Sequence, residues 1–322
     1  LHVAAANGLA TVAGQLVQPR DCRRAEAAAR ERFQRRRQRL IHEAVQCYRL
    51  DGRSYRERPH ALKGQRLEVD VQHVSLCEAT IENLVRAVRA AKVQVEAVCS
   101  NLLAAATAAL TDEERKAGAA LLELGAQSTT ASVYANGHLV AARSERGGAQ
   151  DLSIALSRGL LLPFKNAEQV KMVAGKAAKS QASDAELVEV ETIGLREPRQ
   201  LGRSLLAEAM EPVSRAHLQR LASLVSQTGM ANELSAGLVL CGNGAKLEGI
   251  ADLAEQSLSV PVRVATPRGL LGLAELLDQP GDCCLAGAAM LWARDELASW
   301  ETPQRRARAR RNVQPRWLDL LA

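Results

Sequence analysis

Residues 237–249 read GLVLCGNGAKLEG. The apolar run 238–240 is followed by the turn Gly242-Asn243-Gly244, and then by Leu247, Ile250 and Leu253-Ala254 at helical spacing. The stretch therefore reads as a strand, a tight loop and the start of a helix. Such a junction aims backbone N–H groups at whatever lies above the strand end, and its glycines let a flat or anionic group come close. Glycines between a strand and a helix are also plain turn formers, so the reading needs a second signal.

That signal lies upstream. Residues 119–124 are apolar, 125–130 (GAQSTT) are small and polar, and 131–134 are apolar and β-branched again. Asn136-Gly137 is a strong two-residue hairpin signal, with 138–142 as the return strand. Two such turns flanking a helical insert are what a nucleotide cleft between two lobes requires.

The chain's 322 residues predict two to four compact units. It is 47% hydrophobic but only 2% aromatic, so the core is Leu, Val and Ala. An aromatic stacking platform for single-stranded nucleic acid is excluded on the same count. The net charge of +6 comes from local basic runs at 20–39 and 305–316, while the middle is close to balanced. Seven cysteines without CxxC spacing read as reduced thiols of a cytosolic protein; neither a zinc site nor a disulfide framework is expected. No run of 18 apolar residues and no signal peptide occur, so neither a spanning helix nor export by that route is expected. Residues 1–17 (LHVAAANGLATVAGQLV) open as a strand already under way, and the natural start is expected upstream.

Along the chain, residues 1–17 read as strand, Asn7-Gly8 turn, strand. Residues 19–39 form a helix with a basic face, and 40–50 and 67–76 are strands around Asp51-Gly52. A helix follows with Ile81, Leu84, Val85 and Val88 on one face, then a strand at 93–97, a helix at 104–110 and a capped turn at 111–114. After Gly147-Gly148 comes a helix carrying Leu152, Leu156 and Leu160, then a helix over 164–178 in which Glu168 and Lys171 sit one turn apart. That pair is a surface ion pair or a pair reaching over the cleft. A strand at 187–190, a long helix at 201–227 interrupted at Pro212, a strand at 260–265 and a helix at 285–292 complete the reading.

The order of elements, together with VCSNLLAAATAALTDEERKAGAALLELG (98–125), NAEQVKM (166–172), LLAEAMEP (205–212), GLVLCGNGAKLEGI (237–250) and VPVRVATP (260–267), resembles the bacterial cell-division protein FtsA family of the actin and Hsp70 ATPase superfamily. The likeness covers nearly the whole chain. It implies an α/β, actin-like ATPase fold of two lobes with ribonuclease-H-like cores and the small inserted α/β subdomain of that family. It places the inserted subdomain at 1–75, first-lobe residues at 76–117 and 271–297, the second core lobe at 118–150 and 229–270, a further subdomain at 151–228 and a basic amphipathic tail at 298–322. It implies a filament-forming divisome adaptor at the cytoplasmic face of the inner membrane, a peripheral protein of the division site that binds ATP with Mg and joins FtsZ to the membrane. Its implied partners are the FtsZ C-terminal peptide, docking on about 151–228, further copies of itself, anionic membrane and other divisome proteins, with no nucleic acid.

The nucleotide positions implied by the resemblance are Gly125, Ser128, Gly147, Gly148, Glu168, Lys171, Gly242, Asn243, Gly244 and Lys246, with no catalytic residue and no metal ligand assigned. The family's phosphate loop, Asp-Ile-Gly-Gly-Gly-Thr, falls on Glu123, Leu124, Gly125, Ala126, Gln127 and Ser128, so two of three glycines are gone. Asn243 stands for a glycine, Cys241 for a threonine, and Asp151 for a threonine where its charge repels phosphate. The first phosphate loop belongs before Leu1. At most weak ATPase activity is expected.

In the tail, Arg305, Arg306, Arg308, Arg310, Arg311 and Arg316 occur with no acid among them. Trp317, Leu320 and Leu321 follow at i, i+3 and i+4, with Leu318 beside them. A basic run beside such a face suits an anionic leaflet, each Arg contributing about 1 kcal/mol; a disordered solubilising tail is the other reading of the same residues. The alternatives are an actin-like adaptor of a pilus or secretion machine and an active ATPase of the same fold.

Overall fold

In the computed structural model, which describes residues 2–12, 14–33, 37–194, 197–230, 233–270 and 275–294, the chain forms two units. The first takes residues up to Ser100 with 138–143 and 292–294; the second takes 101–137 and 144–291.

The first unit is built from β1 (His2–Thr11), α1 (Pro19–Glu31), β2 (Gln38–Leu50), β3 (Arg53–Tyr55), β4 (Arg66–Cys77) and α2 (Glu78–Ala90). Its antiparallel sheet runs β1-β4-β2-β3. Along β4, Leu67, Val69, Val71, His73 and Ser75 alternate inward. Cys22, Ala25 and Ala29 of α1 pack on them together with Tyr48.

The expected turn at Asn7-Gly8 is absent, because β1 runs through it, pairing Asn7 with Asp70 and Gly8 with Val69. Gly8 serves packing instead: a Cβ there would lie 1.9 Å from Ala25 O, so only glycine lets α1 lie this close to the strand. The basic helix ends at Glu31, short of the expected 39. On α2, Ile81 and Val85 are buried while Leu84 and Val88 face outward, so the single apolar face expected there is split. Residues 93–96 form no strand.

The second unit begins with α3 (Asn101–Ala109) and α4 (Asp112–Ala117). The Thr111 hydroxyl accepts from Glu114 N at 3.2 Å and Thr111 N donates to Glu114 Oε2 at 2.8 Å, a capping box that starts α4. There follow β5 (Ala119–Leu124), β6 (Ser128–Ala135), β7 (His138–Arg146), α5 (Ala149–Leu160), α6 (Phe164–Ala174), β8 (Leu187–Val190), β9 (Arg199–Gly202), α7 (Arg203–Thr228), β10 (Leu238–Cys241), α8 (Ile250–Leu258), β11 (Val262–Val264) and α9 (Cys283–Ala293). The sheet order is β11-β10-β5-β6-β7, β7 contributing its end at 144–146 to this unit. β10 lies parallel to both β5 and β11, while β5 and β6 are antiparallel. Strands so enclosed are apolar on both faces: β10 is an unbroken apolar run, β5 is one except for Glu123, and both are buried at every residue.

Contrary to expectation, α7 is unbroken at Pro212. Its buried stripe, Leu206, Met210, Ser214, His217, Leu218 and Leu221, holds the helix to its neighbours, while Pro212 lies on the exposed side. There water can serve the carbonyl that proline leaves without a donor. Leu152, Leu156, Leu160, Val170, Leu206 and Met210 form one core joining α5, α6 and α7. The short hairpin β8–β9, registered Leu187 to Gly202, has a second strand that the sequence pattern does not predict.

Candidate functional site

The glycine turn after β10 builds one wall of the site. Gly242 has φ +85°, and a Cβ on it would lie 2.5 Å from Leu124 O, so the turn passes over the end of β5 only as glycine. Its N–H donates to Pro280 O at 2.8 Å, and Gly281 lies against the Asn243 amide. From Asn243 to Lys246 the chain makes a 3-10 turn before α8. Lys246 is exposed and has no ion-pair partner among the described residues.

The opposite wall is α6. Lys171 Nζ donates to Glu168 Oε1 at 2.8 Å and to Ala149 O at 3.0 Å, and the Ser153 hydroxyl donates to Glu168 Oε2. Lys171 thereby stitches α6 to the first residue of α5. Burial pushes the Glu168 carboxyl up, but its bonds from Lys171 and Ser153 outweigh this and hold it below the usual carboxylate value. Below the site, Ala177 N donates to Glu248 O at 2.9 Å, and Glu248 pairs with Lys176 at 3.1 Å and Arg203 at 2.7 Å.

Between the walls lies a cavity of about 620 Å3, within the range of small-molecule sites. Its apolar lining comes from Leu152, Phe164, Met172, Val173 and Leu247, and its charged and polar side chains from Gln150, Glu168, Lys171, Asn243, Lys246 and Glu248, with Ala126, Ala149, Gly175 and Gly244 completing the wall. Of the ten positions expected from sequence, Glu168, Lys171, Asn243, Gly244 and Lys246 line the cavity. Gly125, Ser128, Gly147, Gly148 and Gly242 do not, and they shape the backbone around it instead. The apolar lining was not anticipated from the sequence. The available signal was Phe164, one of only two phenylalanines, two residues before NAEQVKM.

The loop after β5, which reaches the cavity at Ala126, is closed upon itself. Gly125 N donates to Ser128 O and Gly147 N to Gln127 O, both at 2.9 Å. At the start of α5, Ala149 N reaches Gly125 O at 2.9 Å and Gln150 N reaches Ala126 O at 2.8 Å, while Asp151 N returns to Gly148 O at 2.9 Å. These N–H groups, which an open helix start would offer to an anion, already have carbonyl partners.

Under the loop, Glu123 is buried, and its Oε2 has no hydrogen-bond partner among the described residues. Burial pushes its carboxyl up to about 7, against a smaller lowering by Thr130. Cys241 lies opposite Glu123 in the β10–β5 register. His217 is also buried. Its Nδ1 is 3.3 Å from both the Thr129 hydroxyl and Arg220 Nη1, and burial, with Arg220 next, lowers its pKa. Among the described residues no three His, Cys, Asp or Glu are grouped to hold a metal ion, and no helix is long and apolar enough to cross a membrane.

Comparison with solved structures gives the class. The chain superimposes on the PilM-PilN type IV pilus biogenesis complex with TM-score 0.57 at 17% identity, covering 89% of this chain and 76% of that one. For MreB 5 of Spiroplasma citri bound to AMPPNP the values are 0.55, 15%, 69% and 66%. The fold is that of the actin-like ATPases, with the small inserted domain. The profile of the cell division protein FtsA matches residues 120–287, and that of the SHS2 domain inserted in FtsA matches 1–75. The chain belongs to the FtsA family. The cell division protein FtsA of Bacillus subtilis (strain 168) is 30% identical over 269 residues, which are 83% of this chain and 61% of that protein.

The fold class implies ATP, and the residues fit it only in part. The apolar lining together with Glu168 and Lys171 suits a base and a hydroxylated sugar, since an ionised carboxylate accepts hydrogen bonds. On the phosphate side the fit is incomplete, because the N–H groups of Gly125, Gly147, Ala149, Gln150 and Asp151 are spent on carbonyls.

Proposed function

We propose that this chain is a divisome adaptor, an actin-like protein that assembles at the cytoplasmic face of the inner membrane and tethers FtsZ to it at the division site. The observation carrying this reading is the occurrence, on one chain, of both the FtsA core and its inserted SHS2 domain. The cavity between α6 and the turn after β10 is the nucleotide site in this reading, and catalysis is at most weak. The unit built from α5, α6, β8, β9 and α7 receives the FtsZ C-terminal peptide, and copies of the chain associate into filaments.

The membrane contact falls to Arg305, Arg306, Arg308, Arg310, Arg311 and Arg316 with Trp317, Leu318, Leu320 and Leu321, which lie outside the described residues. Six arginines at about 1 kcal/mol each, lowered by salt, suffice for reversible binding to an anionic leaflet when many copies act together. The test is flotation with vesicles containing anionic lipid, using the chain and a version ending at residue 304. Loss of binding on truncation, with binding of an FtsZ C-terminal peptide kept, supports the reading. Equal flotation of both forms, or no peptide binding by either, sinks it. A second reading, an adaptor of a pilus machine, draws on the likeness to the PilM-PilN complex. It is favoured if the truncated chain keeps its place in the cell and FtsZ peptide does not bind.

A further inference from the structure

We propose that Cys241 and Cys283 are a redox-sensitive thiol pair: a peroxide joins them in a reversible disulfide, and the bond is felt in the cavity at Asn243. The bond itself stands apart from the nucleotide reading above; only its effect on ligand rests on that reading.

The backbone brings the two thiols together. Cys241 ends β10 and Cys283 begins α9, and both are fully buried. Gly242 N donates to Pro280 O at 2.8 Å, which ties the two segments on one side. On the other side Ala265 N donates to Leu240 O at 2.8 Å, while the Cys283 thiol reaches Ala265 O at 3.7 Å. Between these ties the two sulfurs share a hydrogen bond. It pulls Cys283 below the usual thiol value and, together with burial, pushes Cys241 well above it. Arg263 also lowers Cys283, against burial and Asp282. The roles are therefore unequal: Cys283 supplies the thiolate, and Cys241 the thiol that resolves it. All seven cysteines are free in the structure, which is the reduced form.

The Cys283 thiolate attacks one oxygen of hydrogen peroxide, the O–O bond breaks, and a sulfenic acid forms as the other oxygen leaves and takes a proton to become water. The Cys241 sulfur then attacks the Cys283 sulfur, whose S–O bond breaks, and the hydroxyl leaves with the Cys241 proton as a second water. Two thiols are oxidised to one disulfide, and one peroxide is reduced to two waters. Cys283 lies one residue inside the partly exposed turn Pro280–Asp282, whose local opening admits a water-sized oxidant.

Closure reaches the cavity because there is no slack beside it. A disulfide holds its sulfurs about 2 Å apart, closer than hydrogen-bonded thiols, so the start of α9 is drawn toward β10. Gly281 already touches Asn243, since a Cβ on Gly281 would lie 2.3 Å from Asn243 Oδ1. Asn243 lines the cavity, and its amide is displaced when the turn advances.

The experiment exposes the 322-residue chain to hydrogen peroxide, alkylates the remaining thiols and maps cysteine pairs by mass spectrometry, before and after dithiothreitol. A peptide cross-linked through Cys241 and Cys283, and lost on reduction, is expected. In Cys241→Ser the sulfenic acid has no resolving thiol, and Cys283 is expected to proceed to sulfinic acid. Exposed Cys77, whose pKa backbone and Thr80 hydrogen bonds lower, gauges whether the oxidant has acted. Cys77 oxidised while Cys241 and Cys283 are both alkylated, or Cys283 over-oxidised in the parent chain without the cross-link, overturns the pair. The parent chain alone decides this, whatever the folding of the variant. Calorimetric titration with ATP then compares the reduced and cross-linked chains, the latter expected to bind at least about threefold more weakly. Equal affinities overturn the relay through Asn243 and leave the bond standing. No ATP binding by the reduced chain overturns the nucleotide reading and the relay with it, while the mapped cross-link still upholds the bond.

Discussion

Replacing Glu123 by Gln tests what a buried carboxyl costs the central sheet. In the folded chain its pKa rises from 4.5 to about 7 because burial disfavours the anion. A raised carboxyl means the folded state holds the proton more tightly than the unfolded one. Its stabilising share is full below about pH 4.5 and is lost as pH rises through about 7. The difference between those two values corresponds to roughly 3 kcal/mol. Glutamine removes the charge but places an amide where Oε2 has no protein partner, returning roughly 1–2 kcal/mol of that gain. The variant is therefore expected to be more stable than the parent by about 1–2 kcal/mol at pH 8, and equal or slightly less stable at pH 5. Thermal melts at half-unit steps from pH 5 to 8.5 read this as a difference in Tm, about 2–4 °C per kcal/mol for a unit of this size. Two melting profiles that stay parallel across that range refute the reasoning, since Glu123 would then titrate alike in both states.

Other perturbations have equally definite outcomes. Gly8→Ala puts a Cβ on Ala25 O and is expected to cost the first unit about 1–3 kcal/mol, read as a lower urea midpoint; an unchanged midpoint means α1 does not press on β1. Lys171→Met cuts the link from α6 to Ala149 O and leaves Glu168 without its cation, so nucleoside binding should weaken at least about tenfold. Retained affinity would remove the pair from the site. His217 is held below its ordinary 6.5 by burial and Arg220, so its share of stability is present above about pH 6.5 and lost on acidification. His217→Asn should flatten the acid limb of the stability profile, and an unchanged limb shows that another group governs it.

The same dipeptide shows how far the sequence could be read. Asn136-Gly137 turns as expected, with φ of +54° and +86°, between two runs each short enough to be one strand. Asn7-Gly8 stays extended because β4 offers ten consecutive partners and α1 needs the space a side chain would fill. Nothing local to residues 7 and 8 reports either fact. Pro212 is similar: the local rule breaks the helix, while the buried stripe from Leu206 to Leu221 carries it through. In the site, the glycine turn was legible from its spacing, whereas Glu168 and Lys171 pointed to the cleft only through the family resemblance, since an acid and a base one helical turn apart are equally a surface pair. Met172 and Val173 were not legible, since exposed apolar residues on a helix look the same whether they face solvent or a ligand. The closed phosphate loop was legible only as missing glycines; that the N–H groups of Gly125 and of the start of α5 are occupied is a matter of three-dimensional pairing.

Glu123 has a second consequence, at the ribosome. β5 emerges as AALLEL and can pair at once with β6, but its other edge has no partner until the chain reaches Leu238. Through that interval the nascent protein carries an open, apolar strand edge of the kind that recruits other chains. A carboxylate in the strand, still bathed in water and fully charged, keeps such an edge from being taken up by a neighbour. The burial penalty borne by the finished sheet is thus the counterpart of protection during synthesis. The Glu123→Gln protein, though more stable once folded, should be made in lower soluble yield.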